Sequence, residues 1–302
     1  MAFEKWLGNP TGLVLNGGGG KGAYQIGAFK ALREAGLNDL ITAVSGSSIG
    51  ALNMCLFNYD DGTVGEDIWS HLTSEQFVDP DLELLDGKEG LVSRDGLLQV
   101  LADYIDFEKL RNNPLDLYAS VTEYRDLNDD KGQARYMKLN GKSDEEIRQI
   151  LLASSCMPFV YEPVVMNGIT YRDGGLTDNL PIKPLYDMGI RQFIVILLND
   201  AGKVPVERFP GSEFLIIRPS KNLGDTVTGT LNFSSKSAKE RMELGYIDCA
   251  RTIRYHGEEN VDINEIARIE LRQFENKLRV DNAMNAANSD LGKINDLINK
   301  YM

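Results

Sequence analysis

Apolar residues follow two rhythms along the first 58 positions. Residues 12–16 form a short continuous run leading into glycines 17–20, as a buried strand would. Residues 23–35 then show helical spacing, with Ile26, Phe29, Ala31 and Leu32 on one side and Gly36 as a stop. Residues 40–45 predict a second strand and 49–57 a second helix. This β-α-β-α opening predicts a largely parallel sheet covered by helices. Residues 63–110 change character: amphipathic helices at 64–72 and 96–104 are joined by acidic loops such as 79–90, an excursion that can wall a site. After it, 116–122 and 134–139 read as strands around a turn at 128–132, an antiparallel pair at the sheet edge. Ser143 and Glu146 form a capping box for the next helix, which Pro158 ends. Asn167-Gly168 predicts a hairpin turn. Residues 181–188 read as a helix, and 193–198 and 214–217 as buried strands. Past residue 220 the chain is helical: 235–255 is long and amphipathic through Met242, Leu244, Tyr246, Ile247, Ala250 and Ile253, with weaker helices at 263–277 and 286–300. The expected organisation is an α/β core over 1–220 and a helical elaboration over 221–302 packed on the same domain.

Composition narrows the class. With 42% apolar positions over 302 residues, the chain can bury a sizeable core. A net charge of -13 argues against a nucleic-acid partner and against lasting attachment to anionic lipid, while leaving room for transient contact with a membrane surface through an apolar mouth. Cys55, Cys156 and Cys249 are too scattered for a disulfide framework or a zinc site, so no metal is expected. The first residues have no leader pattern and no run of 18 apolar residues occurs, so a soluble, cytoplasmic protein is expected. The pattern selects no oligomeric state.

Candidate chemistry begins at Gly46-Ser47-Ser48-Ile49-Gly50, the G-x-S-x-G spacing of a sharp strand-to-helix turn that exposes one serine hydroxyl, here Ser48. The loop Gly17-Gly18-Gly19-Gly20-Lys21-Gly22 admits three readings. As a dinucleotide fingerprint, Gly17, Gly19 and Gly22 fit, but the second strand ends in Ala43-Val44-Ser45-Gly46 with no acid for a ribose; Asp39 precedes it. As a phosphate-binding Walker loop it fails, because Gly22 follows Lys21 and Leu15 stands where the first glycine belongs. As an oxyanion hole it fits: backbone N–H groups at the end of one parallel strand, beside a serine at the end of the next. A histidine base is scarce, with His71 in the acidic excursion and His256 at the end of a long helix, so a carboxylate is the expected base. Asp173, followed by Gly174-Gly175, has the most suggestive setting, against the simpler reading of an Asp-Gly turn. Asp178 reads better, with Asn179, as a helix cap. A carboxylate base suits an ester leaving group better than an amide.

Together these pieces resemble the patatin-like phospholipase family of bacterial and plant lipid acyl hydrolases: Gly17 to Gly22 against its G-G-G-x-[KR]-G, Gly46 to Gly50 against G-x-S-x-G, Asp173-Gly174-Gly175 against D-G-[GA], and Ala153-Ser154-Ser155-Cys156-Met157-Pro158 against A-S-x-A-x-P, with Cys156 replacing the usual alanine. The resemblance covers roughly residues 10–200. It implies a three-layer α/β/α fold and a phospholipase A or lysophospholipase-like serine–aspartate hydrolase acting on acyl lipids or phospholipids without metal or organic cofactor. Ser48 would be the nucleophile, Asp173 the base, and the N–H groups of Gly18, Gly19 and Gly20 the oxyanion donors. Lys21 would support the loop or the headgroup side, and Gly46, Gly50, Gly174 and Gly175 would shape the turns. The alternatives are a small-acyl esterase or thioesterase on the same dyad, a dinucleotide-binding oxidoreductase, and a non-catalytic lipid-binding module.

Overall fold

The computed structural model describes residue 3 and residues 6–57, 63–71, 104–125, 132–157, 162–258 and 263–301. The expected turn at 58–62, the acidic loop at 79–90, nearly all of the helix at 96–104 and of the turn at 128–132, and Pro158 lie outside the described residues.

Strand β1 (Thr11–Leu15) is buried throughout and pairs in parallel with β2 (Ile41–Ser47), joined to it through helix α1 (Ala23–Glu34). Helix α2 (Ile49–Phe57) starts two residues after β2, and α3 (Thr63–His71) matches the expected helix 64–72 but is one residue earlier at each end. Then come α4 (Phe107–Arg111), β3 (Asp116–Tyr124), β4 (Gln133–Lys138), α5 (Asp144–Ser154), the hairpin β5 (Val164–Met166) and β6 (Ile169–Asp173), α6 (Lys183–Asp187), β7 (Gln192–Ile196), β8 (Glu213–Ile217) and α7 (Ser235–Arg254). The sheet runs β5-β6-β3-β2-β1-β7-β8, with β4 also on β3. Strands β1, β2, β3, β7 and β8 are parallel, and β4, β5 and β6 antiparallel. This is a three-layer α/β/α fold with a mixed, mostly parallel sheet. Val14, Ala43, Phe193 and Val195 cluster with Ile182 and Leu185 around α6. Strand side chains alternate, so the equally buried Leu13, Leu15, Val44, Ile194 and Ile196 serve the opposite layer.

The chain divides into two compact units, residues 1–257 and 258–302. The second holds α8 (Ile263–Tyr301), one helix where two were expected: between 277 and 286 the apolar rhythm lapses, but no proline or glycine interrupts the backbone hydrogen bonding. Among the described residues no helix is long and apolar enough to cross a membrane. In the first unit, α7 crosses α1 with almost no space between backbones. A Cβ on Gly27 would lie 1.7 Å from the Met242 carbonyl oxygen, and one on Gly245 2.0 Å from that of Tyr24. The Tyr24 hydroxyl donates to Asp248 (3.1 Å) in the same contact.

The sheet also explains why two distant residues meet. Residues 118–120 of β3 pair with both β2 and β4, and residues 121–123 with both β4 and β6. A strand has two edges, so β2 and β6 share one. They run toward each other along it: Ser47 ends β2 opposite Ser120, and Asp173 ends β6 opposite Val121.

Candidate active site

Ser48 sits at this meeting point, between the last residue of β2 and the first of α2. Its φ of 53° is left-handed, a conformation that costs a residue with a Cβ and is found at sharp functional turns. Two hydrogen bonds fix it. The Ser48 N–H donates to Ser154 Oγ (3.1 Å), and the Ser154 hydroxyl donates to the Ser120 carbonyl (2.7 Å), so α5, β3 and the turn are tied at one point. Gly46 and Gly50 let the turn close. A Cβ on Gly46 would come within 2.3 Å of Gly50 O, and one on Gly50 within 2.4 Å of Leu15 O.

The Ser48 hydroxyl donates to Asp173 Oδ2 at 2.8 Å. The other carboxylate oxygen accepts from the Gly175 N–H at 2.7 Å. Asp173 is also held through its backbone: its N–H donates to Cys156 O (3.1 Å) and its carbonyl accepts from the Thr122 hydroxyl (2.8 Å). Gly174 passes so close to β3 that a Cβ would lie 2.2 Å from Ser120 O. Burial pushes the Asp173 carboxyl up to about 6, outweighing the Gly175 N–H and the Ser48 hydroxyl, which both favour the ionised form.

The glycine loop follows β1, one strand over from Ser48 and at the same carboxyl end of the sheet, where ligands bind in open α/β folds. It is laced to the segment after Asp173. Gly17 N–H donates to Asn179 O (3.4 Å), Asn179 Nδ2 to Gly17 O (3.3 Å), and Asn16 Nδ2 to Asn179 O (2.8 Å), while Asn16 Oδ1 accepts from Leu198 N–H (3.1 Å). Gly18 and Gly19, with Ser48, Asp173, Met157 and Leu176, line a cleft of about 180 Å³. Gly17, Gly175, Asn179 and Thr230 complete it. Gly20 is not in that lining; its carbonyl accepts from Arg241 (2.8 Å). Lys21 is half-buried with its stem against Gly229, and burial followed by the charge of Arg241 lowers its pKa, opposed by Asp225 and Asp200.

Neither histidine reaches the cleft. His71 is exposed on α3, its Nδ1 2.9 Å from Asp67 O. His256 stacks on Phe3 with centroids 4.8 Å apart. Asp178 does not cap α6, which starts later than expected with Ile182 at its N-cap. It accepts from Leu180 N–H (3.1 Å) in a local turn and from the Tyr136 hydroxyl (2.6 Å). The side chains whose part in the site sequence reasoning missed are Asn16, Asn179 (read as a helix cap), Thr230 and Arg241. Ser154 drew notice only as part of a motif. Two oxygen-bearing asparagines flanking the glycine loop and the Asp173 turn were the available signal for the first pair.

The cleft thus holds a serine on a strained left-handed turn, the buried carboxylate that accepts from its hydroxyl, and a wall of loop glycines. A family model described as patatin-like phospholipase matches residues 13–186, spanning every one of the motifs above. The chain belongs to the patatin-like phospholipase family. Patatin-like relatives include neuropathy target esterase sws of Drosophila melanogaster, 29% identical over 206 residues, and that of Drosophila grimshawi, 31% identical over 191. The matches cover 64% and 59% of this chain but 13% and 12% of those much longer proteins. Among solved structures, VipD from Legionella pneumophila superposes with a TM-score of 0.52 at 15% identity, over 82% of this chain and 67% of that one. At that identity the likeness is one of patatin-like fold.

Proposed function

We propose that this protein hydrolyses carboxylic esters of acyl lipids, phospholipids or lysophospholipids among them, with Ser48 as nucleophile and Asp173 as general base. The observation that carries the reading is the 2.8 Å hydrogen bond from the Ser48 hydroxyl to a buried carboxylate with no histidine in the cleft. Asp173 Oδ2 takes the hydroxyl proton as Ser48 Oγ attacks the ester carbonyl carbon. The carbonyl oxygen becomes an oxyanion facing the glycine loop. The N–H groups of Gly18, Gly19 and Gly20 serve as the oxyanion donors, Gly18 and Gly19 from the cleft wall, beside a Gly17 N–H held by Asn179 O and a Lys21 N–H held by Gly18 O. When the tetrahedral adduct collapses, the C–O bond to the alcohol breaks and Asp173 returns the proton to it. Water then gives a proton to Asp173 and attacks the acyl-Ser48 carbonyl; as that adduct collapses the bond to Ser48 Oγ breaks, Oγ takes the proton back from Asp173, and the fatty acid is released. No step requires a metal or organic cofactor. Met157 and Leu176 give the cleft an apolar side for an acyl chain, and Leu176, 46% exposed, is a point of transient contact with a lipid surface.

A fluorophosphonate tests the reading, followed by intact and peptide mass spectrometry. One adduct on Ser48 is expected; Asp173→Asn slows labelling by at least about 10²-fold, as removal of a general base does, and His71→Ala and His256→Ala leave it unchanged. Labelling elsewhere, or loss of labelling in either histidine variant, contradicts the dyad. Turnover that does not rise with acyl-chain length would mark a small-acyl esterase or thioesterase instead.

A further inference from the structure

Arg241 lies on α7, beyond the residues matched by the family model, and its side chain is 6% exposed. The guanidinium donates to four main-chain carbonyls: Asn232 O at 2.7 Å, Gly20 O at 2.8 Å, Thr228 O at 2.9 Å and Leu223 O at 3.4 Å. Burial lowers its pKa, opposed by the charge of Glu240. A buried guanidinium spent on carbonyls of two separate segments is a geometric device, since its rigid fork fixes the partners relative to each other.

The second segment is the one seated on the glycine loop. A Cβ on Gly19 would lie 2.2 Å from Thr230 O, and one on Gly20 2.1 Å from Asn232 O, so loop and segment touch backbone to backbone. Thr230 also joins Gly18 and Gly19 in the cleft wall. Arg241 itself has a rigid mount. Gly245 and Asp248 follow it at helical spacing on the same buried face, and they make the close crossing with α1, the helix that continues the glycine loop.

We propose that Arg241 is the positioning residue of the oxyanion loop: it clamps the Gly20 carbonyl to residues 223–232 and so holds the Gly18 and Gly19 N–H groups on the cleft. The inference rests on the hydrolase reading above. Arg241 touches no reacting atom, and its removal acts through the loop.

The test compares Arg241→Met and Arg241→Lys with wild type, using kcat per Ser48 titrated with fluorophosphonate, KM, melting temperature, and the Ki of a trifluoromethyl ketone, whose serine adduct carries an oxyanion. Arg241→Met is expected to lower kcat by about 10²-fold and to weaken the ketone in parallel, with KM changed less than about threefold, because a displaced oxyanion donor acts on the transition state. Arg241→Lys restores part of both. A merely structural arginine would lower the melting temperature and leave kcat per titrated serine and the ketone Ki unchanged, and that result overturns the proposal. Should the variants not fold, hydrogen exchange on wild type decides: the fluorophosphonate adduct must slow exchange in 18–22 and 223–232 together, and protection confined to 18–22 refutes the clamp. Wild type without Ser48-dependent turnover would instead remove the hydrolase reading itself.

Discussion

Burial gives Asp173 two properties that move in opposite directions with pH. As the proposed base, Asp173 must be ionised, so kcat/KM should climb as pH rises through about 6 and level off above it, with Ser48→Ala inactive throughout. Folding has the reverse sign. An exposed aspartate in the unfolded chain loses its proton near 3.8 and the folded one near 6, so the unfolded chain sheds its proton first and stability falls between those values, by up to about 3 kcal/mol, remaining lower at neutral pH. Asp173→Asn should therefore melt higher than wild type at pH 7.5 while being inactive, with the gain gone below pH 4. An equal melting temperature at pH 7.5 would show that the carboxylate is better solvated than its 5% exposure indicates. Ser154 offers a second prediction. Ser154→Ala removes the acceptor for Ser48 N–H and the donor for Ser120 O, costing about 1–3 kcal/mol and, by loosening the left-handed turn, about 10- to 10²-fold in kcat, read by thermal melts and steady-state kinetics. The turns that carry Ser48 and Asp173 were legible in the sequence because glycines mark them. Ser154 and Arg241 were not: they act by hydrogen bonding to main-chain atoms as far as 106 and 221 residues away, and a backbone partner leaves no signature in residue type.

At the scale of elements, the site exists because β2 and β6 end against each other on one edge of β3. The strands, the hairpin at Asn167-Gly168 and the capping box at Ser143 were readable from period and turn chemistry. The head-on arrangement was not, since it depends on which edge of β3 each strand takes. The buried face of α7 was likewise misjudged. Of its apolar stripe Met242, Leu244, Tyr246, Ile247, Ala250 and Ile253, Leu244 is buried, yet the other buried positions include Arg241, Gly245, Asp248 and Arg251, because paired charges and a glycine contact with α1 fill that face. Gly245→Ala tests this crossing. Its methyl would meet the Tyr24 carbonyl, a backbone atom that cannot yield cheaply, so a loss of about 1–3 kcal/mol is expected in denaturant unfolding. Gly65→Ala is the control: its nearest neighbour is the flexible end of Ile26 at 3.3 Å, and a helical alanine there should be neutral or stabilising. A Gly245→Ala variant as stable as the Gly65→Ala control would mean that the helices separate to make room.

For the molecule as a whole, 45 acidic residues against 32 basic ones set how it meets a lipid surface. An anionic bilayer carries a negative potential that repels an acidic protein, and the repulsion acts only within a Debye length, about 8–10 Å near physiological salt and about 3 Å at 1 M. Burial of apolar surface is insensitive to that screening, and exposed Leu176 at the cleft offers such surface. Turnover of the same ester should therefore be several-fold faster in phosphatidylcholine vesicles than in vesicles with a large phosphatidylglycerol fraction at low salt. Raising sodium chloride to about 0.5 M should narrow the gap by speeding the anionic case. A soluble short-chain ester, which needs no surface, should show no comparable salt response, and that separates approach to the bilayer from chemistry at Ser48. Faster turnover on the anionic vesicles at low salt would show that local positive charge around the cleft outweighs the net charge of the chain.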